Sequence, residues 1–243
     1  MNFTNQTTIG EVLINPEFKP FARYIFPVKQ RRNVEYLTID DIHSLLPYHQ
    51  NVEVTTTIEV LNYFQNEVKK DRQLFYDIYN EDEKREDSAK KDTGLFFFKG
   101  KPGKPFAIIC TGGGFHYCGS IHESYPLAIE LAKQGFNVFT IEYRVGSARK
   151  ACEDLARGLS FIFRHADEFE LTTDNYSIWG GSAGARMAAY LGEVMGRAIM
   201  VAMNYLKQIR LLCNIQDIRI THEMTHQLLW LLAKMIGLHH GRQ

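Results

Sequence analysis

Two short stretches carry residue types at spacings that do chemistry. Gly180, Gly181, Ser182, Ala183 and Gly184 spell G-x-S-x-G, and His222, Glu223 and His226 spell H-E-x-x-H. In the first, small residues let the backbone turn sharply so that a serine hydroxyl stands free as a nucleophile. In the second, a helix would put two imidazoles on one face for zinc, with the glutamate as general base. A third stretch, "CTGGGFHY", places Gly112, Gly113 and Gly114 where peptide N–H groups can point into a cavity without obstruction. With the N–H of Ala183, such a loop would stabilise the oxyanion of an acyl-transfer intermediate. A phosphate-cradling loop would want G-K-[ST] after the glycines, and "GGGFHYCGS" supplies none.

These residues need elements to hold them. "GLFFFKG" reads as a strand ended by "KPGKP", and "FAIICTGGG" as a buried strand running into the glycines. "SYPLAIELAKQG" reads as a helix with Gly135 in the C-cap role, followed by the strand "NVFTIEYR". Ala151, Leu155, Leu159, Ile162 and Phe163 recur on one face of the next helix. "NYSIWGGSAG" then supplies strand, turn and helix around Ser182, the context a nucleophile elbow requires. The expected fold is α/β, a mostly parallel sheet with helices on both faces. Before it, residues 1–93 read as a helical extension, with helical spacing at Val60, Tyr63, Phe64 and Val68. The charge run "NEDEKREDSAKKD" within that extension is expected to be a solvated loop. The core would occupy residues 94–192, and residues 193–243 would form an atypical tail.

Together, "FAIICTGGGFHY", "HESYPLAIELAKQGFNVFTIEYRVG", "ACEDLARGLSFIFRHADEFEL" and "YSIWGGSAGARMAAYLG" resemble the α/β-hydrolase superfamily. Within it they resemble small carboxylesterases of the acetyl-esterase and hormone-sensitive-lipase-like kind, over residues 95–192. The resemblance implies hydrolysis of small carboxylic esters through a Ser182 acyl-enzyme, with Gly113, Gly114 and Ala183 forming the oxyanion hole. It implies no cofactor. Thr111 stands where many relatives carry His or Pro before the glycines.

The pattern departs from that family after Gly192. A triad there runs Ser, then Asp or Glu, then His. The Asp that follows Ser182 is Asp217, and the histidines are His222, His226, His239 and His240. Asp217 with His222 satisfies the order, but the tail lacks the Gly- and Pro-punctuated strand ends that carry such loops. A shifted reading frame accounts for the departure. Methionine has one codon, so Met195 before Gly196 and Met200 before Val201 must both read as glycine in that frame. Met224 before Thr225 and Met235 before Ile236 must both read as aspartate. With permitted synonymous codons the shifted tail contains "PPTIVVVGEND", which resembles the strand and loop of the family's acid. The expectation is therefore a frameshifted and truncated hydrolase, weak or inactive as written.

Zinc is not expected at H-E-x-x-H, because a third ligand is needed and no glutamate follows Glu223. A zinc-dependent hydrolase using that stretch, and a binding module without turnover, stand as the alternatives. Lys plus Arg equals Asp plus Glu at 28 each, so no net field favours nucleic acid or an anionic membrane. A small-molecule ester is the expected partner. The hydrophobic content of 45% is enough to fill a core, yet no run approaches a membrane span and no leader precedes it, so a cytoplasmic protein is expected. Cys110, Cys118, Cys152 and Cys213 show no C-x-x-C pairing and are expected as free thiols.

Overall fold

Four apolar side chains in a row follow the glycine of "GLFFF". In the computed structural model, which describes residues 2–28, 31–50, 52–195 and 199–202, Leu95 and Phe97 join the core on one face of a central sheet. Phe96 and Phe98 point to the other face, where both rings pack on Phe64. Successive side chains of a strand face opposite ways, so a strand covered on both sides is apolar throughout. The sheet strands are β1 (Phe75–Tyr76), β2 (Gly94–Phe98), β3 (Pro105–Cys110), β4 (Asn137–Glu142), β5 (Thr172–Gly181) and β6 (Ile199–Ala202). Their order is β1-β2-β4-β3-β5-β6. β3, β4, β5 and β6 run parallel, while β1 and β2 are antiparallel to their neighbours. This mixed sheet, flanked by helices and preceded by a helical extension, matches the α/β-hydrolase fold.

The helices are α1 (Ile9–Leu13), α2 (Val54–Val68), α3 (Glu81–Glu86), α4 (Ser124–Lys133), α5 (Ala148–Arg164) and α6 (Ala183–Met195). Ala151, Leu155, Leu159 and Ile162 of α5 and Met187, Ala188 and Leu191 of α6 share one core with Ile108, Phe139, Ile141 and Ile178 of the sheet. Phe163 is only partly buried against that core. On the opposite face, Tyr125 of α4 meets Phe64 of α2 edge-on at 5.2 Å and Phe96 at 4.9 Å. Gly135 adopts a φ of +97° just beyond α4, the left-handed geometry that ends a helix.

The N-terminal residues are folded onto this frame. Phe75 and Tyr76 extend the sheet beside β2, and Phe21 packs edge-on against Phe96 at 5.5 Å. The charge run is a helix where a loop was expected. Asn80 Oδ1 accepts the N–H of Glu83 at 2.8 Å, and Glu83 Oε2 accepts the N–H of Asn80 at 2.9 Å. This reciprocal cap satisfies two orphan amides and starts α3. Lys84 is buried between Asp77 (2.9 Å) and Glu81 (3.0 Å), and Arg157 of α5 reaches Glu83 at 2.8 Å. Lys84 and Glu83 are therefore paired with neighbouring charges.

Ile199–Ala202 pairs with β5 in parallel, Ile178 opposite Ile199 and Gly181 opposite Ala202, so the sheet extends beyond α6. Among the described residues no helix is long and apolar enough to cross a membrane. Cys110, Cys118 and Cys152 are free thiols.

Candidate active site

Parallel pairing brings the two glycine stretches together. β3 and β5 are neighbours with Ile108 opposite Ile178 and Cys110 opposite Gly180. The chain leaves both strands at the same, C-terminal edge, and loops from adjacent parallel strands must meet there. A Cβ placed on Gly112 would stand 3.2 Å from the Cβ of Ser182 and 2.8 Å from Oε2 of Glu123. The serine and the glycine loop are thus in contact.

Ser182 itself is exposed and has a φ of +49°. A left-handed residue with a side chain costs roughly 1–2 kcal/mol, so the surroundings must impose it. They do. A Cβ on Gly184 would lie 1.9 Å from the carbonyl oxygen of Cys110, and one on Gly180 would lie 2.4 Å from the carbonyl of Gly184. Only glycines let α6 start this close to β3, and that approach bends the chain at Ser182. Ala183 is buried as the first residue of α6, where the initial N–H groups of a helix have no partner within it.

The loop after β3 is bent to match. Gly113 has φ +128°, Gly114 +63° and Phe115 +60°. A side chain on Gly113 would strike the Tyr117 carbonyl at 2.0 Å. The Gly113 carbonyl accepts the N–H groups of His116 (2.9 Å) and Tyr117 (3.3 Å). Phe115 is anchored through its carbonyl to the N–H of Gly146 at 2.6 Å, and the guanidinium of Arg186 on α6 sits 6.0 Å from its ring. Thr111 is buried, and its carbonyl accepts the hydroxyl of Tyr143 at 2.9 Å. Tyr48 from the N-terminal extension stacks on Tyr117 at 5.6 Å and covers Gly114.

Buried polar groups cluster at and after the end of β4. Arg144 follows β4, and Asp154 of α5 receives its backbone N–H at 2.7 Å and its Nε at 2.9 Å. Tyr79 donates its hydroxyl to the same carboxylate at 2.7 Å. At the end of β4, Glu142 is buried with the hydroxyls of Ser120 and Tyr125, and burial pushes its carboxyl up to about 7. His122 also lies near the loop, where burial first and then the adjacent His49 hold its imidazole below the usual value.

Ser182, Gly113, Gly114 and Ala183 are thus gathered at one edge of the sheet. Asp217 and His222 lie outside the described residues, as do His226, His239, His240 and the H-E-x-x-H stretch. Among the described residues no group of three His, Cys, Asp or Glu side chains is placed to hold a metal. Reading the sequence missed His49, Tyr117 and Glu123. Glu123 lies in the "HESYPLA" segment, but no local spacing links it to His49, which is 74 residues away.

The BD-FAE family model matches residues 98–210. Endo-1,4-beta-xylanase B of Butyrivibrio fibrisolvens is 29% identical over 90 residues, 35% of this chain and 14% of the xylanase. Native esterase 2 of Thermogutta terrifontis shares 20% identity with a TM-score of 0.41, over 47% of this chain and 42% of that one. MGS-M1, an α/β hydrolase from a Medee basin deep-sea metagenome library, shares 22% identity with a TM-score of 0.41, over 45% of this chain and 50% of that one. The chain therefore spans half or less of the length of these proteins. The sheet order matches the α/β-hydrolase fold, and the stretch that the BD-FAE model matches lies within it.

Proposed function

We propose that the site is that of a serine carboxylester hydrolase acting on esters of small acyl groups. The observation that carries this reading is the left-handed Ser182, exposed in the tight turn between β5 and α6 with the glycine loop against it. In the reaction a base takes the proton of Ser182 Oγ as that oxygen attacks the ester carbonyl. The N–H groups of Gly113, Gly114 and Ala183 receive the oxyanion. The alcohol leaves with a proton from the base, and water then releases the acid from the acyl-enzyme. Asp217 and His222 have the types and order of a triad in the present frame. The tail proposed above as shifted supplies other candidates.

A serine hydroxyl is a poor nucleophile without an adjacent base, whereas an oxyanion hole and binding alone leave a residual acceleration of about 10³ to 10⁴ over water. The chain as written is therefore expected to hydrolyse a short-chain aryl ester barely above background and to label slowly with a serine-directed phosphonate. Replacing residues 193–243 by the shifted-frame tail, carried to its natural end, is expected to raise turnover by several orders of magnitude. Ser182→Ala is expected to abolish the turnover gained in that repaired chain and the phosphonate labelling. Turnover in the repaired chain that survives Ser182→Ala would remove the reading. Full activity in the unaltered chain would instead show that Asp217 and a tail histidine assemble a triad.

A further inference from the structure

The Glu123 carboxylate joins the glycine loop to the N-terminal extension. Its Oε2 accepts the N–H of Gly112 at 2.9 Å and lies 3.0 Å from Nε2 of His49. Both side chains are largely enclosed, with 6% of His49 and 14% of Glu123 exposed. The other ring nitrogen, Nδ1, is 2.9 Å from the hydroxyl of Tyr117, and that hydroxyl oxygen accepts the N–H of Tyr48 at 2.9 Å. Facing a carboxylate, Nε2 carries the proton, so in the neutral ring Nδ1 accepts from Tyr117. Every donor along Tyr48, Tyr117, His49 and Glu123 then has its acceptor. The ring also fits tightly, because a Cβ on Gly119 would stand 2.2 Å from Cε1 of His49.

This arrangement sorts the amides of the loop. The N–H of Gly112 is occupied by Glu123, and the Gly112 carbonyl by the N–H of Gly119 at 3.0 Å. Among the described residues the N–H groups of Gly113 and Gly114 have no acceptor. We propose that Glu123 and His49 are positioning residues that hold Gly112 fixed, so that the next two amides are left to receive an oxyanion beside Ser182. The functional half of this proposal rests on the esterase reading, but the structural half does not. A carboxylate is the stronger acceptor for that amide. The histidine, donated from a segment far away in sequence, keeps the carboxylate from turning to solvent.

Two readouts on the full chain test it separately. With glycine labelled by ¹⁵N, Glu123→Ala is expected to speed hydrogen exchange of the Gly112 amide by about tenfold or more, with the Gly158 amide in α5 unchanged. His49→Ala is expected to act in the same direction, and His49→Gln, whose amide can still donate to Glu123, to restore much of the protection. In Ser182-dependent hydrolysis of an aryl acetate by the chain that carries the shifted-frame tail, Glu123→Ala is expected to lower kcat by about 10- to 100-fold, below the loss for a deleted oxyanion donor, with KM little changed. Unchanged Gly112 exchange would overturn the proposal whatever turnover does. Faster exchange with unchanged kcat would overturn the positioning role. Turnover indifferent to Ser182→Ala would overturn the esterase reading, while Gly112 exchange would still decide whether Glu123 holds the loop.

Discussion

Gly184, in the first turn of α6, lies directly against the carbonyl of Cys110 at the end of β3, leaving 1.9 Å between that oxygen and the place a Cβ would occupy. The obstacle is backbone, which cannot rotate away as a side chain can. Gly184→Ala is therefore expected to push α6 off the sheet and to cost about 3 kcal/mol, at the upper end of ordinary overpacking. Urea unfolding measures this, and an unchanged midpoint would mean that α6 does not approach β3 as described.

Ser182 pays a conformational cost at φ +49° that glycine would not. Ser182→Gly is expected to be about 1 kcal/mol more stable than Ser182→Ala, since both lose the hydroxyl and only the second keeps the strain. Calorimetry on the two variants decides it. Equal melting temperatures would show that the turn relaxes when the serine is removed.

The hydroxyl of Tyr125 has one proton but two acceptors in reach, the Tyr24 carbonyl at 3.0 Å and Oε1 of Glu142 at 2.9 Å. All three groups are satisfied if Glu142 is itself protonated and donates. Burial agrees, raising its carboxyl to about 7. The folded state then binds more protons than the unfolded one between pH 4.5 and about 7, so this group's contribution falls as pH rises through that window. The full effect is about 3 kcal/mol. Glu142→Gln is expected to flatten the pH dependence of unfolding and to exceed the wild type in stability at pH 8. Parallel pH profiles for the two proteins would contradict it.

Asp154 is completely buried and gathers Arg144 and Tyr79. Removing Asp154 leaves the Tyr79 hydroxyl and the backbone N–H and Nε of Arg144 without this acceptor, although the guanidinium keeps Asp87 and Glu153, so Asp154→Ala is expected to cost about 3 kcal/mol. The solvent-exposed pair of Lys133 and Glu130 offers the contrast. Lys133→Ala is expected to change stability by less than about 0.5 kcal/mol. Similar losses for the two variants would show that burial does not set the cost here.

Local pattern determined much of this protein. Alternating strands and helices follow from runs such as "FAIIC" and from the one-sided spacing of Ala151, Leu155, Leu159 and Ile162. The tight turn at Ser182 was legible because glycine and alanine after an apolar strand permit few other turns. α3 was not read, although its cap is local, because a dense charge run masks the reciprocal bonds of Asn80 and Glu83. Other features are tertiary in origin. The meeting of Gly112 with Ser182 depends on β3 pairing with β5 in register, and that pairing depends on cores buried on both faces. The pairing of His49 with Glu123 needs the N-terminal extension laid against the loop. No periodicity records it, because a hydrogen bond between distant segments is selected by where packing leaves the two side chains, and spacing along the chain carries no trace of that.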